Sequence, residues 1–359
     1  MPLIWCSISG HGYGHAAQVV PVLNALGQRV PHLKVVLRTS VPATFFEPRL
    51  ALPWELSPAQ QDVGCIQNGP LTIDVPGTWE AHETFHAGWD RKVETEAALI
   101  RHARPALVLS DISHLGVAAG AAAAIPTIGL CSLSWDLVLE PFVDHSLPDH
   151  AAILDQIREA YSKADGFLRV EPGLAITAFR NMYDIGPIAE PSSPQRATLR
   201  RTLGADDADR VILVGFGGIP LTNPPFDQME AMPACRFLFD GPLPKGLSRV
   251  VSLAAIGLPF KDILASVDLV LTKPGYGTIV ESVALGIPVV YVRRFNFADE
   301  QSLVDYLHRY GRGAELSRED FYRGAWEPAM RLALAQQTAA PPPPLSGPQD
   351  AAQFLAGYV

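Results

Sequence analysis

Two histidines set among alternating glycines, Ser9-Gly10-His11-Gly12-Tyr13-Gly14-His15-Ala16, are the first residues of the chain whose spacing suits chemistry. An apolar run, Leu3 to Ser9, leads into this turn and a helical pattern follows it. The glycines therefore let the backbone bend tightly, and the helix start presents free N–H groups. His15 then lies at the carboxyl side of a sheet, where an imidazole can take a proton from a hydroxyl. Ser110-Asp111 ends a second apolar run, Ala106 to Leu109. In a parallel sheet Asp111 is expected to reach His15 from a neighbouring strand, fix its tautomer and stabilise the imidazolium. The glycine run fits the dinucleotide fingerprint only in part. His15 stands where the third glycine belongs, and the next strand ends in Arg38-Thr39-Ser40 with no acidic residue for a ribose, which argues against a dehydrogenase.

A second set lies far downstream, in Leu271-Thr272-Lys273-Pro274-Gly275-Tyr276-Gly277-Thr278-Ile279-Val280-Glu281-Ser282. Here a strand runs into a glycine turn and then a helix whose N-terminal amides, with the Thr278 hydroxyl, form an anion site. Glu281 follows one helical turn later and is placed to accept hydrogen bonds from vicinal ribose hydroxyls. Past the next strand, Arg293 to Gln301 forms a polar cluster with Asp299, Glu300 and Gln301 suited to sugar hydroxyls. Two weaker patterns carry less. Asp207-Ala208-Asp209 has the D-x-D metal spacing but lies in a polar turn. Trp79 to Trp89 concentrates aromatic and His side chains, expected to wall the acceptor side with His11, Tyr13, Trp135 and Asp136. No metal site is expected.

The elements that must position these groups read as short apolar strands alternating with helices. Leu3 to Ser9, Lys34 to Thr39, Ala106 to Ser110 and Pro126 to Cys131 are near-continuous apolar runs, the mark of parallel strands covered on both faces. The rhythm breaks at the Pro- and Ser-rich stretch 185–194 and restarts with Arg210 to Phe216, Arg236 to Phe239, Arg249 to Leu253, Asp268 to Thr272 and Pro288 to Val292. The expected architecture is α/β: two Rossmann-like domains, 1–187 and 195–338, facing across a cleft, with a hinge near 187–194. A tail helix, 345–359, lies beyond Pro341-Pro342-Pro343-Pro344 and is expected to pack back on the first domain, because its apolar side chains are costly to leave in water.

Composition agrees with this plan. With 359 residues, 48% hydrophobic and 18% charged, the chain has material for large cores. A net charge of −9, from 28 Lys and Arg against 37 Asp and Glu, excludes a polyanion footprint, so no nucleic-acid partner is expected. No apolar run reaches the roughly 18–20 residues of a membrane helix and no basic leader precedes Leu3, so a cytoplasmic protein is expected. Cys6, Cys65, Cys131 and Cys235 are widely spaced and read as reduced thiols.

These motifs together resemble the nucleotide-sugar glycosyltransferases of the GT-B fold. In that family the glycine turn and helix end bind the donor diphosphate, the Glu binds ribose, and an acidic–Gln pair binds the transferred sugar. The resemblance implies those roles for Gly275, Tyr276, Gly277 and Thr278, for Glu281, and for Asp299 or Glu300 with Gln301. It implies a diphosphate loop at Gly215-Phe216-Gly217-Gly218 and a phosphate contact for Lys273, where plant members often carry His. More narrowly, the run 9–16, Ser134-Trp135-Asp136, Phe216-Gly217-Gly218, Gly275-Tyr276-Gly277-Thr278 and Tyr291-Val292-Arg293-Arg294 are similar to the N-terminal glycosyltransferase-like region of plant L-arabinokinases, over most of residues 3–330. The kinase domain that follows in those proteins has no counterpart before Val359, so kinase activity is not expected. The reading is an inverting, metal-independent transfer from a nucleotide-diphosphate sugar, UDP by family habit, to a small soluble acceptor. No cofactor is needed. A non-catalytic sugar-nucleotide sensor and a sugar-nucleotide epimerase remain open, as do the base, sugar, acceptor and oligomeric state.

Overall fold

A computed structural model describes every residue except Pro191, Pro220 and Phe295. Pro191 belongs to the expected hinge and Phe295 to the expected polar cluster, and both lie outside the described residues. The chain divides into two compact units. The first comprises Met1–Ile66, Ile73–Ala189 and Pro344–Val359; the second comprises Gln67–Thr72 and Glu190–Pro343.

The first unit is built on seven strands: β1 (Leu3–Ile8), β2 (Lys34–Thr39), β3 (Trp54–Pro58), β4 (Leu107–Asp111), β5 (Thr127–Cys131), β6 (Gly166–Val170) and β7 (Met182–Ile185). Their order is β3-β2-β1-β4-β5-β6-β7 and the paired strands run parallel. All five residues of β4 and of β5 are buried, as expected for strands covered on both faces. The order reverses between β1 and β4, the switch point at which open α/β sheets bind ligands beyond the carboxyl ends of their strands. Ile8 pairs with Asp111 there, so the glycine turn after β1 and the carboxylate ending β4 are neighbours by register. The helix Gly347–Leu355 packs against the helix Tyr13–Arg29 and against β7. The Asp350 carboxylate accepts from the Gly186 amide at 3.1 Å, and Phe354 lies 4.6 Å from Tyr183, ring to ring.

The second unit carries six strands: β8 (Arg210–Val214), β9 (Cys235–Phe239), β10 (Val250–Ser252), β11 (Leu269–Thr272), β12 (Val289–Tyr291) and β13 (Gly313–Glu315). They are ordered β10-β9-β8-β11-β12-β13, again with parallel pairing. Alternation decides the faces: Ile212, Val214, Phe237, Leu269 and Leu271 enter one core with Phe321 and Trp326, whereas Val211, Leu213, Leu238 and Val270 enter another with Leu199, Ile263 and Leu264. Its switch point lies between β8 and β11, the two strands that end in glycine turns.

One segment departs from the expected boundary. Gln67–Thr72 belongs to the second unit because Leu71 is buried in its core and Arg318 Nη2 donates to Leu71 O at 2.6 Å and Thr72 Oγ1 at 2.8 Å.

Candidate functional site

In the first unit, Gly12 holds φ 91°, a conformation that favours glycine, and caps the helix Tyr13–Arg29. That places His15 in the first helical turn. Its Nδ1 lies 3.2 Å from Asp111 Oδ2 and 3.3 Å from Oδ1, with Asp111 fully buried and His15 8% exposed. Burial alone would lower the His15 pKa, but the Asp111 charge and hydrogen bond, with Cys131 adding, outweigh it and hold the imidazolium well above the usual histidine range. The Asp111 carboxylate thus favours the charged form of the His15 ring.

The residue after Asp111 is strained. Ile112 adopts φ 58°, the left-handed region that a β-branched side chain avoids, at a cost of about 1–3 kcal/mol. Tyr161 Oη donates to the Ile112 carbonyl at 2.8 Å and so helps to hold it.

Around the pair the expected acceptor residues separate. Tyr13 is 57% exposed and stacks on Phe45, 5.2 Å between centroids; His11 is half-buried with its ring 5.2 Å from Trp135. Trp135 and Asp136 are buried instead. The Trp135 ring lies 5.6 Å from His15 and its Nε1 donates to Asp62 at 2.9 Å, while Asp136 Oδ2 is 3.6 Å from Arg158 Nε. Trp135 thus packs against the His15 ring, whereas Asp136 is engaged by Arg158. Asp62 went unnoticed in the sequence, although the polar triplet Gln60-Gln61-Asp62 was a usable signal. Its buried carboxylate also accepts from Ser9 Oγ at 2.9 Å, and burial pushes its pKa up to about 6.

The Trp79–Trp89 stretch is not an acceptor wall. It forms the end-to-end helices Val75–His86 and Trp89–Ala103, and the spacing of Trp79, His82, Phe85, His86 and Trp89 turns these side chains inward. There His86, His114 and Trp89 stack with centroids 5.0 to 5.3 Å apart. Among the described residues, His82 Nδ1, His86 Nε2 and both His114 nitrogens have no hydrogen-bond partner. Burial pushes His82 down to about 4, His86 down, and His114 well below the usual range.

In the second unit, Gly217 and Gly218 both hold positive φ, 74° and 72°, in the turn after β8. After β11 the helix runs Tyr276–Leu285 with Gly275 as its cap, two residues earlier than a start at Thr278. The first amide paired within it is Ile279 N, to Gly275 O at 3.0 Å, so the N–H groups of Gly277 and Thr278 stand in the first turn, ahead of the helix's own ladder. A β-carbon built on Gly217 or on Gly275 falls 3.7 Å from Lys273 Nζ, so the amine lies between the two turns. Burial, with the Arg294 charge, pushes Lys273 down to about 7 against the pull of Asp299 and Glu300. Burial also pushes Glu281 up to about 7.

The Asp299–Gln301 run is divided in use. Glu300 is 4% exposed and accepts from Arg294 N at 3.0 and 3.1 Å and Arg294 Nε at 3.2 Å; Arg294 Nη2 donates to Pro274 O at 2.8 Å and lies 3.6 Å from Asp299. Glu300 therefore ties the polar cluster to the glycine turn and is not turned out toward a sugar. Gln301 is exposed, bonded to Arg293 at 2.6 Å and Asp305 at 2.7 Å. Arg294→Ala would strip buried Glu300 of its hydrogen-bonded counter-charge, and denaturant unfolding should show a loss of about 3–5 kcal/mol; a loss below about 1 kcal/mol would show that the pair does not hold this region.

Other features fall away. Asp209 of the D-x-D run accepts from Arg236 Nε at 3.0 Å and from the Asp206 amide at 3.1 Å, a structural role. A cavity of about 720 Å³ lies at the amino ends of β8, β11 and β12, opposite the glycine turns. Arg196 and Arg200 on its wall pair with Asp268, so these charges are matched within the wall itself.

With this geometry in hand, comparison decides the fold. No protein-family model matches the chain. A UDP-glucosyltransferase from Polygonum tinctorium superposes with TM-score 0.65 at 16% identity, covering 99% of this chain and 98% of that one. The calicheamicin glycosyltransferase gives 0.64 at 17% identity, with 99% and 98% covered. The fold is GT-B. Phytolacca americana UGT2, complexed with UDP-2fluoro-glucose and pterostilbene, gives 0.60 at 16% identity over 99% and 94%. In sequence, L-arabinokinase of Arabidopsis thaliana is 28% identical over 334 residues, 91% of this chain. The chain spans about a third of that relative's length, 32%. No helix among the described residues is long and apolar enough to cross a membrane.

Proposed function

We propose that this GT-B chain is a nucleotide-sugar glycosyltransferase that transfers with inversion to a hydroxyl of a small acceptor and needs no metal for the chemistry. One observation carries the reading: each unit's topological switch point bears one half of the required machinery, a His–Asp pair beyond β1 and β4 and a glycine-framed amide cradle beyond β8 and β11. Relatives of the same fold solved with UDP-sugar analogues support the donor class.

In this reading His15, once neutral, takes the acceptor hydroxyl's proton while Asp111 holds the ring and its charge. The hydroxyl oxygen attacks the anomeric carbon as the bond to the diphosphate breaks. The amides of Tyr276, Gly277 and Thr278, with Gly217, Gly218 and Lys273, receive the charge building on the leaving diphosphate, where preorganised donors act most strongly. Glu281 takes the ribose hydroxyls, Asp299 and Gln301 the transferred sugar, and His11 and Tyr13 border the acceptor.

A thermal-shift screen of nucleoside diphosphates and their sugars, followed by mass analysis of products, tests the proposal. A ligand bound only by the native chain at about 100 times its Kd stabilises by about 2.7 kcal/mol. Stabilisation with a mass gain on the acceptor supports transfer. Donor conversion without an acceptor points to an epimerase, stabilisation without consumption of any donor to a sensor, and no stabilisation at all removes the donor site.

A further inference from the structure

Cys131, the last residue of β5, ends beside the His15–Asp111 pair. Its Sγ lies 3.9 Å from His15 Nδ1, and among the described residues these three form a group whose ligand atoms, N, O and S, all lie within 4.8 Å of one another. Four-coordinate zinc with bonds of about 2.0–2.3 Å sets neighbouring ligand atoms about 3.3 Å apart for N to O and 3.6 Å for N to S. The chain holds them at 3.2 and 3.9 Å before any ion arrives. A second observation points the same way: Asp111 Oδ2 is buried and, beyond its 3.2 Å contact with His15 Nδ1, accepts no hydrogen bond among the described residues. A buried carboxylate oxygen with lone pairs to spare, beside a thiol and an imidazole nitrogen, is a donor set suited to a borderline-soft cation.

We propose that His15 Nδ1, Asp111 and Cys131 form an inhibitory Zn2+ site, with water as the fourth ligand. On binding, the Cys131 thiol gives up its proton to solvent and Nδ1 gives its place to the metal, so that the ring is left neutral with its one proton on Nε2. His15 then has no lone pair left for an acceptor hydroxyl, because one ring nitrogen holds the metal and the other a proton. The metal thus stops the base without touching the donor residues. The inhibitory half of the proposal rests on the function proposed above; the site itself does not.

Titration with Co2+, a spectroscopic stand-in for Zn2+, separates the two. The whole chain should take up one equivalent with a near-ultraviolet thiolate-to-cobalt band that Zn2+ abolishes. Cys131→Ala should lack the band and bind Zn2+ at least about 100-fold more weakly, a direct ligand counting for no less than an outer-shell one. Should Cys131→Ala fail to fold, His15→Gln must show the same weakening. No band in the wild type, or a band that survives in Cys131→Ala through Cys6, Cys65 or Cys235, overturns the site. Zn2+ binding without loss of measured transfer overturns the inhibition alone, whereas a cobalt band in a chain that transfers nothing leaves the site standing and sinks the function.

Discussion

His15→Ala should lower kcat by roughly 10²–10⁴-fold, the usual contribution of a positioned general base, and leave stabilisation by nucleoside diphosphate unchanged. The split follows from the architecture, because His15 belongs to the first unit and every residue assigned to the diphosphate belongs to the second. Asp111→Asn is the companion variant: it keeps the size of the side chain but removes the charge that orients and stabilises the imidazolium, so kcat should fall while donor binding persists. If His15→Ala transfers sugar at the wild-type rate, the base lies elsewhere and the proposed mechanism fails.

The second large effect concerns acid stability. His82, His86 and His114 are buried neutral, and their folded pKa values are depressed. At a pH above the unfolded value both states are neutral and nothing is lost. As pH falls below about 6.5 the unfolded chain takes protons that the folded chain refuses, and stability drops until the folded pKa is reached. For His82, moved from 6.5 to about 4, the loss is about 2.5 kcal/mol between roughly pH 7.5 and pH 4.5. Asp62 acts in the opposite sense, since its raised carboxyl pKa favours the folded state as acid is added. Absolute stability against pH would therefore blur the effect. The clean measurement is the difference between wild type and His82→Leu in urea unfolding at both pH values: the variant should gain on the wild type by about 2.5 kcal/mol in acid. A constant difference would show that His82 titrates normally in the fold.

Much of the fold was legible because parallel strands covered on both faces leave unbroken apolar runs, and because each switch-point turn is marked by glycines within a few residues of a strand. The pairing of His15 with Asp111 is legible for the same reason, His15 lying in the helical turn that follows β1 and Asp111 at the end of β4. What escaped depends on contacts distant in sequence. Asp62 meets Trp135 across 73 residues and Arg294 reaches back 20 to Pro274, and no local pattern announces either. The helix start at Tyr276 was misjudged because Gly277, a poor helix former, sits inside the first turn, where propensity yields to context. A concentration of aromatic and His side chains reads equally as a ligand wall or a core; the helical spacing of His82 and His86, one turn apart with Phe85 and Trp89, turns them inward.

Ile112 bears on how the chain tolerates improvement. A glycine at that position would adopt φ 58° freely, so the fold gives up stability at the residue that aims the Asp111 carboxylate. Variants selected for heat resistance alone would be free to relax this kink, and in relaxing it would swing the carboxylate away from the imidazole. Under the proposed mechanism, ruggedness and turnover are then opposed at a single peptide unit, and robust descendants that keep their activity should carry their gains elsewhere in the sheet.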